Sequence, residues 1–325
     1  MSQGQRVLVT HRVLDPAPAL LADAAQAVEY EGDLSAESIA AAAAGCAGIL
    51  SQSIDPVDER VLSTPGLRAV SNVAVGYDNI DVEAATRHGV LVTNTPGVLD
   101  ETTADLAFAL LLAAGRRLGE GERMIRAGQW EGWAIDQLLG RDIHRATLGI
   151  VGLGRIGQAV ARRARGFDMR ILYAQRSQGD PSVERELNAE RRELGNLLAE
   201  ADFVSLHTPL TEETRHLIGA AELASMKSSA VLVNTARGPV VDEAALARAL
   251  RERRIFAAGL DVFEAEPRVH PDLLGLDNVV LLPHVGSGSV DTRARMCETA
   301  ARNLVAALRG ERPEHLVNPE AWKDR

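Results

Sequence analysis

An α/β fold of two doubly wound parallel-sheet domains is predicted by three features of the 325-residue sequence. Short apolar runs alternate with amphipathic stretches, the order that a parallel sheet with helical crossovers requires. The alternation occurs twice, on either side of a long helical pattern that begins near Glu101. The chain also exceeds what one hydrophobic core usually organises, and its 46% apolar residues suffice to bury two.

The first alternation runs through RVLVT (6–10), an Ala-rich segment reaching residue 44, GIL (48–50), LRAVSNVAV (67–75) and VLVTN (90–94). The monotonous Ala-rich stretch over 36–47 reads as helix. One long helix is then expected from Glu101 through TADLAFALLLAAGRRLGEGERMIRAG, starting after the NTPG turn, stopping at Gly128 and able to bridge the two domains. From Thr147 six further strands follow, in TLGIVGLG, MRILYAQ, DFVSLH, AVLVNTA, AAGLDVF and VVLLPH. Residues 289–309 read as a helix with no strand after it, so this helix is expected to return to the first domain.

A net charge of −10 leaves no basic excess to neutralise phosphates, which argues against nucleic acid as a partner. Cys46 and Cys297 show no metal-ligand spacing, so a reduced protein without structural zinc, in the cytoplasm, is expected. The longest apolar run, over 106–114, is too short to span a bilayer, and no membrane association is expected.

Gly152, Gly154 and Gly157 form a GxGxxG frame directly after an apolar strand and directly before a helix. In that context each glycine has its own role. The first permits a tight turn, the second lets backbone approach a pyrophosphate, and the third lets helix pack closely on strand. A site for NAD(H) would place a carboxylate at the end of the next strand, where it accepts from the ribose hydroxyls. Here that strand ends in Gln175, Arg176 and Ser177. A guanidinium and a hydroxyl suit a 2′-phosphate, so NADP(H) is the preferred cofactor and NAD(H) the alternative.

Three ionisable residues fall near the carboxyl ends of the later strands, where ligands sit in open α/β sheets. Arg237, in NTARGP, can grip a small carboxylate with two parallel hydrogen bonds. His284 ends VVLLPH beside the glycine-rich VGSGS, whose Gly286 is expected to contact the cofactor, and an imidazole can protonate the alkoxide formed when a carbonyl accepts hydride. Glu266, in FEAEP, can hold the other ring nitrogen and so set the tautomer. His207, at the end of DFVSLH, reads as lining the cofactor cleft.

These residues carry a resemblance. The stretches VAVGYDNID (73–81), VTNTPGVLDETTADLAFALLLAAGRR (92–117), TLGIVGLGRIGQ (147–158), LHTPLTEETRHLI (206–218), VNTARGPVVDEAAL (233–246), GLDVFEAEP (259–267) and LLPHVGSGS (281–289) resemble the D-isomer-specific 2-hydroxyacid dehydrogenases over nearly the whole chain. The resemblance implies two Rossmann-like domains: an NAD(P)-binding domain over 99–287, inserted into a substrate domain made of 1–98 and 288–325. It also implies a catalytic cleft at their junction, a homodimer, and Arg237, Glu266 and His284 as the catalytic trio.

Carried over residue by residue, it implies that Val75 and Gly76 offer amides to the substrate carboxylate beside Arg237, while Thr103 lies near the cofactor and Asp261 holds the nicotinamide carboxamide. Gly154, Arg155 and Ile156 would meet the pyrophosphate. Thr208, Pro209 and Thr214 would flank the adenosine, and Thr235 and Ala236 the nicotinamide ribose. Substrate selectivity is expected to depend on side chains around Ser51, Gln52 and Tyr77, with Ser51 itself at the substrate.

Within the family, the end of the second nucleotide strand and the GQWEGW segment most resemble the glyoxylate and hydroxypyruvate reductases, including relatives acting on 2-ketogluconate, which commonly prefer NADPH. The implied reaction is reduction of a small 2-oxo acid to its D-2-hydroxy acid. Glu266 stands where the family's formate dehydrogenases carry Gln. Phosphite dehydrogenases share the trio and remain an alternative, as does, from another class, a nucleotide-sensing scaffold like the corepressors of this fold. Trp130 and Trp133 read either as reaching a neighbouring subunit's active site or as anchoring a dimer interface.

Overall fold

The structure, a computed structural model, describes residues 4–322. Its described residues form two compact units, one of 4–99 with 287–322 and the other of 100–286. Both are built on wholly parallel sheets.

In the first unit β1 (Arg6–Val9), β2 (Gln26–Glu29), β3 (Gly48–Ser51), β4 (Ala69–Asn72) and β5 (Leu91–Thr93) lie in the order β2-β1-β3-β4-β5. One face packs Leu8, Ile49, Val70 and Val92 against Ile39, Val61 and Ala84. The other packs Val7, Val9, Leu50, Ala69 and Leu91 against Ala300, Ala301 and Leu304 of the helix Val290–Arg309. Alternate strand residues thus serve opposite faces, as the two-residue period of a strand demands. The 289–309 segment belongs to this unit, far in sequence from the strands it covers.

In the second unit β6 (Thr147–Val151), β7 (Arg170–Ala174), β8 (Ala189–Arg191), β9 (Phe203–Leu206), β10 (Val231–Asn234), β11 (Ala257–Leu260) and β12 (Val279–Leu281) lie in the order β12-β11-β10-β9-β6-β7-β8. The helices Asp100–Gly115 and Arg155–Arg165 cover one face, through Ala104, Phe108, Leu111, Val160 and Ala164. Leu246 and Leu250 of the helix Glu243–Arg251 cover the other. The strand order reverses direction between β6 and β9, and a ligand crevice opens at such a switch point.

Two sequence expectations are corrected. The helix expected from Glu101 to Gly128 is two helices, Asp100–Gly115 and Leu118–Arg126. Arg117 between them is left-handed (φ 54°), and the Arg141 amide donates to the Gly115 carbonyl at 2.8 Å, which terminates the first helix. The strands β2 and β8 add to those the sequence predicts, because they are polar sheet-edge strands with no apolar run to announce them. No helix among the described residues is long and apolar enough to cross a membrane.

Candidate active site

The glycine frame closes the turn between β6 and the helix Arg155–Arg165. Gly152 has φ 96°, and a Cβ there would lie 2.7 Å from the His207 carbonyl oxygen, so the turn ending β6 presses on the chain leaving β9 at the switch point. A Cβ on Gly157 would lie 2.2 Å from the Gly152 carbonyl oxygen, so only glycine lets this helix approach its own turn. A Cβ on Gly154 would meet nothing within 4 Å. The middle glycine therefore keeps open the surface over a helix N-terminus, where a phosphate is stabilised by amides and by the helix dipole. Ile156 lies half-buried in the first helical turn, and Arg155, largely exposed, approaches Asp100 Oδ2 with its Nε at 3.2 Å.

At the end of β7 the Gln175 side-chain oxygen accepts from the Leu153 amide at 3.1 Å, which ties this strand to the glycine turn. Gln175 is thus engaged with the protein, while Arg176 and Ser177 are exposed. Arg191 secures the same segment, its Nη2 donating to the Gln175 and Arg176 carbonyls at 3.2 and 3.3 Å. Nothing in the sequence pattern pairs β7 with Arg191, so these bonds are visible only in the fold. Thr214 is also turned inward: its hydroxyl donates to the Pro209 carbonyl at 2.7 Å and accepts from the Thr211 amide at 2.8 Å, shaping the loop after β9. Pro209 itself is exposed.

Among the described residues, Thr208 Oγ1, Thr235 Oγ1 and Asp261 Oδ2 are buried side-chain atoms without a hydrogen-bond partner. Such orphans are rare in a folded protein. These three follow or end β9, β10 and β11, on the carboxyl side of one sheet, so the residues present fit a polar ligand laid along it. Asp261 is 1% exposed, and burial pushes its carboxyl up while the Val285 amide, 2.8 Å from Oδ1, opposes that rise. A Cβ on Gly286 would lie 3.2 Å from Asp261 Oδ2 and 3.5 Å from Thr103 Cγ2, so these three residues share one corner. Burial pushes the partly buried His207 imidazole down to about 4, and its Nε2 lies 2.8 Å from Ser205 Oγ.

The same sheet edge carries Arg237, Glu266 and His284. Asn234, the last residue of β10, accepts from the Ala236 amide at 3.0 Å and donates to the Arg237 carbonyl at 2.9 Å, which shapes the Arg237 turn. Gly238 then lies so close to the next loop that a Cβ would be 1.9 Å from the Phe263 carbonyl carbon. That contact, available only to glycine, brings the Arg237 turn against the loop bearing Glu266.

The Phe263 amide donates to Glu266 Oε1 at 2.9 Å, and His284 Nδ1 lies 2.7 Å from Oε2. A carboxylate can only accept, so Nδ1 carries the hydrogen and Nε2 is the nitrogen left for chemistry. Burial works to raise the Glu266 carboxyl, but the bond and charge of His284, the Phe263 amide and the Arg237 charge together hold it below its usual range. His284 is held at φ 51°, and its amide donates to the Asp261 carbonyl at 2.9 Å. A left-handed β-substituted residue costs about 1 kcal/mol or more and persists where its surroundings hold it.

In the first unit Ser51 is fully buried and its hydroxyl donates to Asn72 Oδ1 at 3.1 Å. Val75 and Gly76 lie in the loop after β4, half-buried, and Tyr77 is exposed.

Residues 108–286 match the family described as D-isomer specific 2-hydroxyacid dehydrogenase, NAD binding domain. A glyoxylate reductase of Korarchaeum cryptofilum is 56% identical over 284 residues, covering 86% of this chain and 85% of that protein. Among solved structures, a protein of Thermus thermophilus superposes with a TM-score of 0.89 at 43% identity, covering 96% of this chain and 100% of the other. An NADPH-dependent glyoxylate/hydroxypyruvate reductase of Sinorhizobium meliloti, solved in complex with NADP and malonate, gives 0.87 at 35% identity and covers 98% of each chain. With the fold, the glycine turn and these similarities together, the chain belongs to the D-isomer specific 2-hydroxyacid dehydrogenase family.

Proposed function

We propose that the protein reduces glyoxylate, hydroxypyruvate or a similar short 2-oxo acid to the D-2-hydroxy acid, with His284 as proton donor and NADPH as the preferred reductant. The observation that carries this reading is the 2.7 Å contact between His284 Nδ1 and Glu266 Oε2, on the sheet edge that also bears Arg237. When bound, the cofactor supplies hydride. Glu266 holds the imidazole in one tautomer and stabilises it as a cation, so that Nε2 delivers a proton to the developing alkoxide. Arg237 grips the substrate carboxylate, and the Val75 and Gly76 amides donate to a carboxylate as well.

The NADPH preference rests on Arg176 and Ser177, exposed where a carboxylate would serve NAD, and on Gln175 being committed to the glycine turn. Thr208, Thr235 and Asp261 would direct their unpaired atoms to the cofactor. The S. meliloti relative is described as NADPH-dependent, in keeping with this reading.

The active species is proposed to be a homodimer. Leu118, Ile125, Trp130, Trp133, Ile135 and Leu139 are all exposed within one short segment, and a run of large apolar side chains in water marks an association surface.

Oxidation of NADPH and of NADH by the purified protein, with glyoxylate and hydroxypyruvate as parallel substrates, tests the reading. Turnover with NADPH well above NADH is the expected result. Preference for NADH overturns the Arg176 argument, and absence of turnover with either substrate overturns the reductase assignment.

A further inference from the structure

Three consecutive peptide groups in the loop after β4 are each held by their carbonyl. The Ala74 carbonyl accepts from the Thr95 amide at 2.9 Å. The Val75 carbonyl accepts from Asn94 Nδ2 at 2.8 Å, and the Gly76 carbonyl from Asn72 Nδ2 at 2.9 Å. In a trans peptide the N–H points opposite to the C=O of the same plane. Pinning these carbonyls therefore turns the amides of Val75, Gly76 and Tyr77 away from Thr95, Asn94 and Asn72. Among the described residues none of these three amides meets an acceptor. Successive amides without a protein acceptor are an anion-binding arrangement.

The two asparagines are themselves held. Asn72 is fully buried; its Oδ1 accepts from Ser51, and its Nδ2 also donates to Asn79 Oδ1 at 3.1 Å. Asn79 in turn donates to the Gln52 and Asp55 carbonyls at 3.0 and 2.9 Å. Asn94 is fixed by its backbone, its carbonyl accepting from Asn303 Nδ2 at 3.2 Å. With Oδ1 taken by a hydroxyl and Nδ2 shared between two acceptors, Asn72 has one amide orientation that satisfies the network.

We infer that Asn72 and Asn94 are positioning residues that hold the Val75, Gly76 and Tyr77 amides as a cradle for the substrate carboxylate, with Tyr77 contributing a third donor. The inference rests on the proposed reading of Val75 and Gly76 as carboxylate donors. Neither asparagine touches the substrate. Each sets the direction of a donor that does, so removing one loosens carboxylate binding without touching the acid/base pair.

The test is calorimetric titration of oxamate into the NADPH-loaded protein and its Asn94→Ala and Asn72→Ala variants, with glyoxylate kinetics alongside. Asn94→Ala is expected to weaken oxamate about tenfold, the cost of about 1.4 kcal/mol for one unfixed donor. The glyoxylate KM should rise in proportion while kcat changes less than about threefold. Because Asn72 is buried, Asn72→Ala is read only if its unfolding temperature is retained, and Asn94→Ala decides otherwise. Oxamate affinity unchanged in a folded Asn94→Ala variant overturns the inference, as does absence of oxamate binding by the unmodified protein. Asparagine-dependent oxamate binding without turnover of any 2-oxo acid supports the cradle and overturns the reductase reading alone.

Discussion

His284 and Glu266 face one another across 2.7 Å, and each is delivered by a different loop of the same sheet edge. The bond uses Nδ1 and leaves Nε2, while the second Glu266 oxygen is fixed by the Phe263 amide. A pair built in this way has both its orientation and its tautomer set before any substrate arrives.

Replacing His284 by Ala should therefore lower kcat by about 10²- to 10⁴-fold, the usual contribution of a positioned acid. NADPH affinity, measured by fluorescence titration, should stay within about threefold. Glu266→Gln keeps the shape but not the charge and should lie between the two. Because the folded carboxyl is held below its ordinary 4.5, it adds stability that is complete above that pH and is lost as pH falls through the lower folded value. Turnover by His284→Ala near that of the unmodified protein would remove the proton-donor assignment.

The middle and last glycines of the turn should separate binding from folding. A Cβ on Gly154 meets no protein atom within 4 Å, so Gly154→Ala should leave stability within about 0.5 kcal/mol while weakening NADPH tenfold or more. On Gly157 the Cβ would be 2.2 Å from the Gly152 carbonyl oxygen, so Gly157→Ala should cost stability as well, about 1–3 kcal/mol. Denaturant unfolding with and without NADPH checks both. Equal destabilisation by the two changes is incompatible with this division of roles.

His207 should make the second unit acid-sensitive. Its imidazole titrates at about 4 when folded and near 6.5 when released. Above 6.5 both forms are neutral and the residue has no effect on the pH profile. Between 6.5 and about 4 only the unfolded chain takes up the proton, so stability falls with pH, by up to about 3 kcal/mol once pH passes below 4. Unfolding temperatures from pH 4 to 8 should decline on the acid side, and His207→Gln should flatten that decline. An unaltered profile in the variant would mean that the ring charges freely in the native state.

Arg176→Ala should raise the KM for NADPH by about 10- to 100-fold, corresponding to loss of one charge-assisted contact. NADH kinetics should change little, because NADH carries no 2′-phosphate for the guanidinium to meet. A variant in which both cofactors weaken equally would mean that Arg176 supports the loop instead of the 2′-phosphate.

Trp133 and Ile135 are 79% and 78% exposed. If that segment is the dimer contact, Ile135→Asp should shift sedimentation at micromolar protein from dimer toward monomer. A loss of about 2 kcal/mol or more is expected for a charge placed in an apolar contact. A monomeric unmodified protein, or a variant that dimerises as well as the parent, removes the assignment.

Sequence alone determined the features whose signals are local. The period of the apolar residues announces buried strands such as TLGIV and FVSL, because such strands must be apolar on both faces. Gly152 and Gly157 are legible because no other residue tolerates their geometry, and Arg237, Glu266 and His284 because charged groups at strand ends are conspicuous against apolar runs. The polar edge strands β2 and β8 carry no such contrast, and the break at Arg117 depends on a bond from Arg141, so neither was legible.

Only the tertiary structure decided which polar groups are committed and which remain available. The Ser51 and Thr214 hydroxyls donate to Asn72 Oδ1 and the Pro209 carbonyl, whereas Thr235 and Asp261 keep buried atoms unpaired. Asn72 and Asn94 are ordinary strand-end residues by sequence, and their bonds to the Gly76 and Val75 carbonyls exist only in the fold. The physical reason is that hydrogen bonding depends on angstrom-scale direction between groups distant in the chain, and that information exists only once the chain is folded.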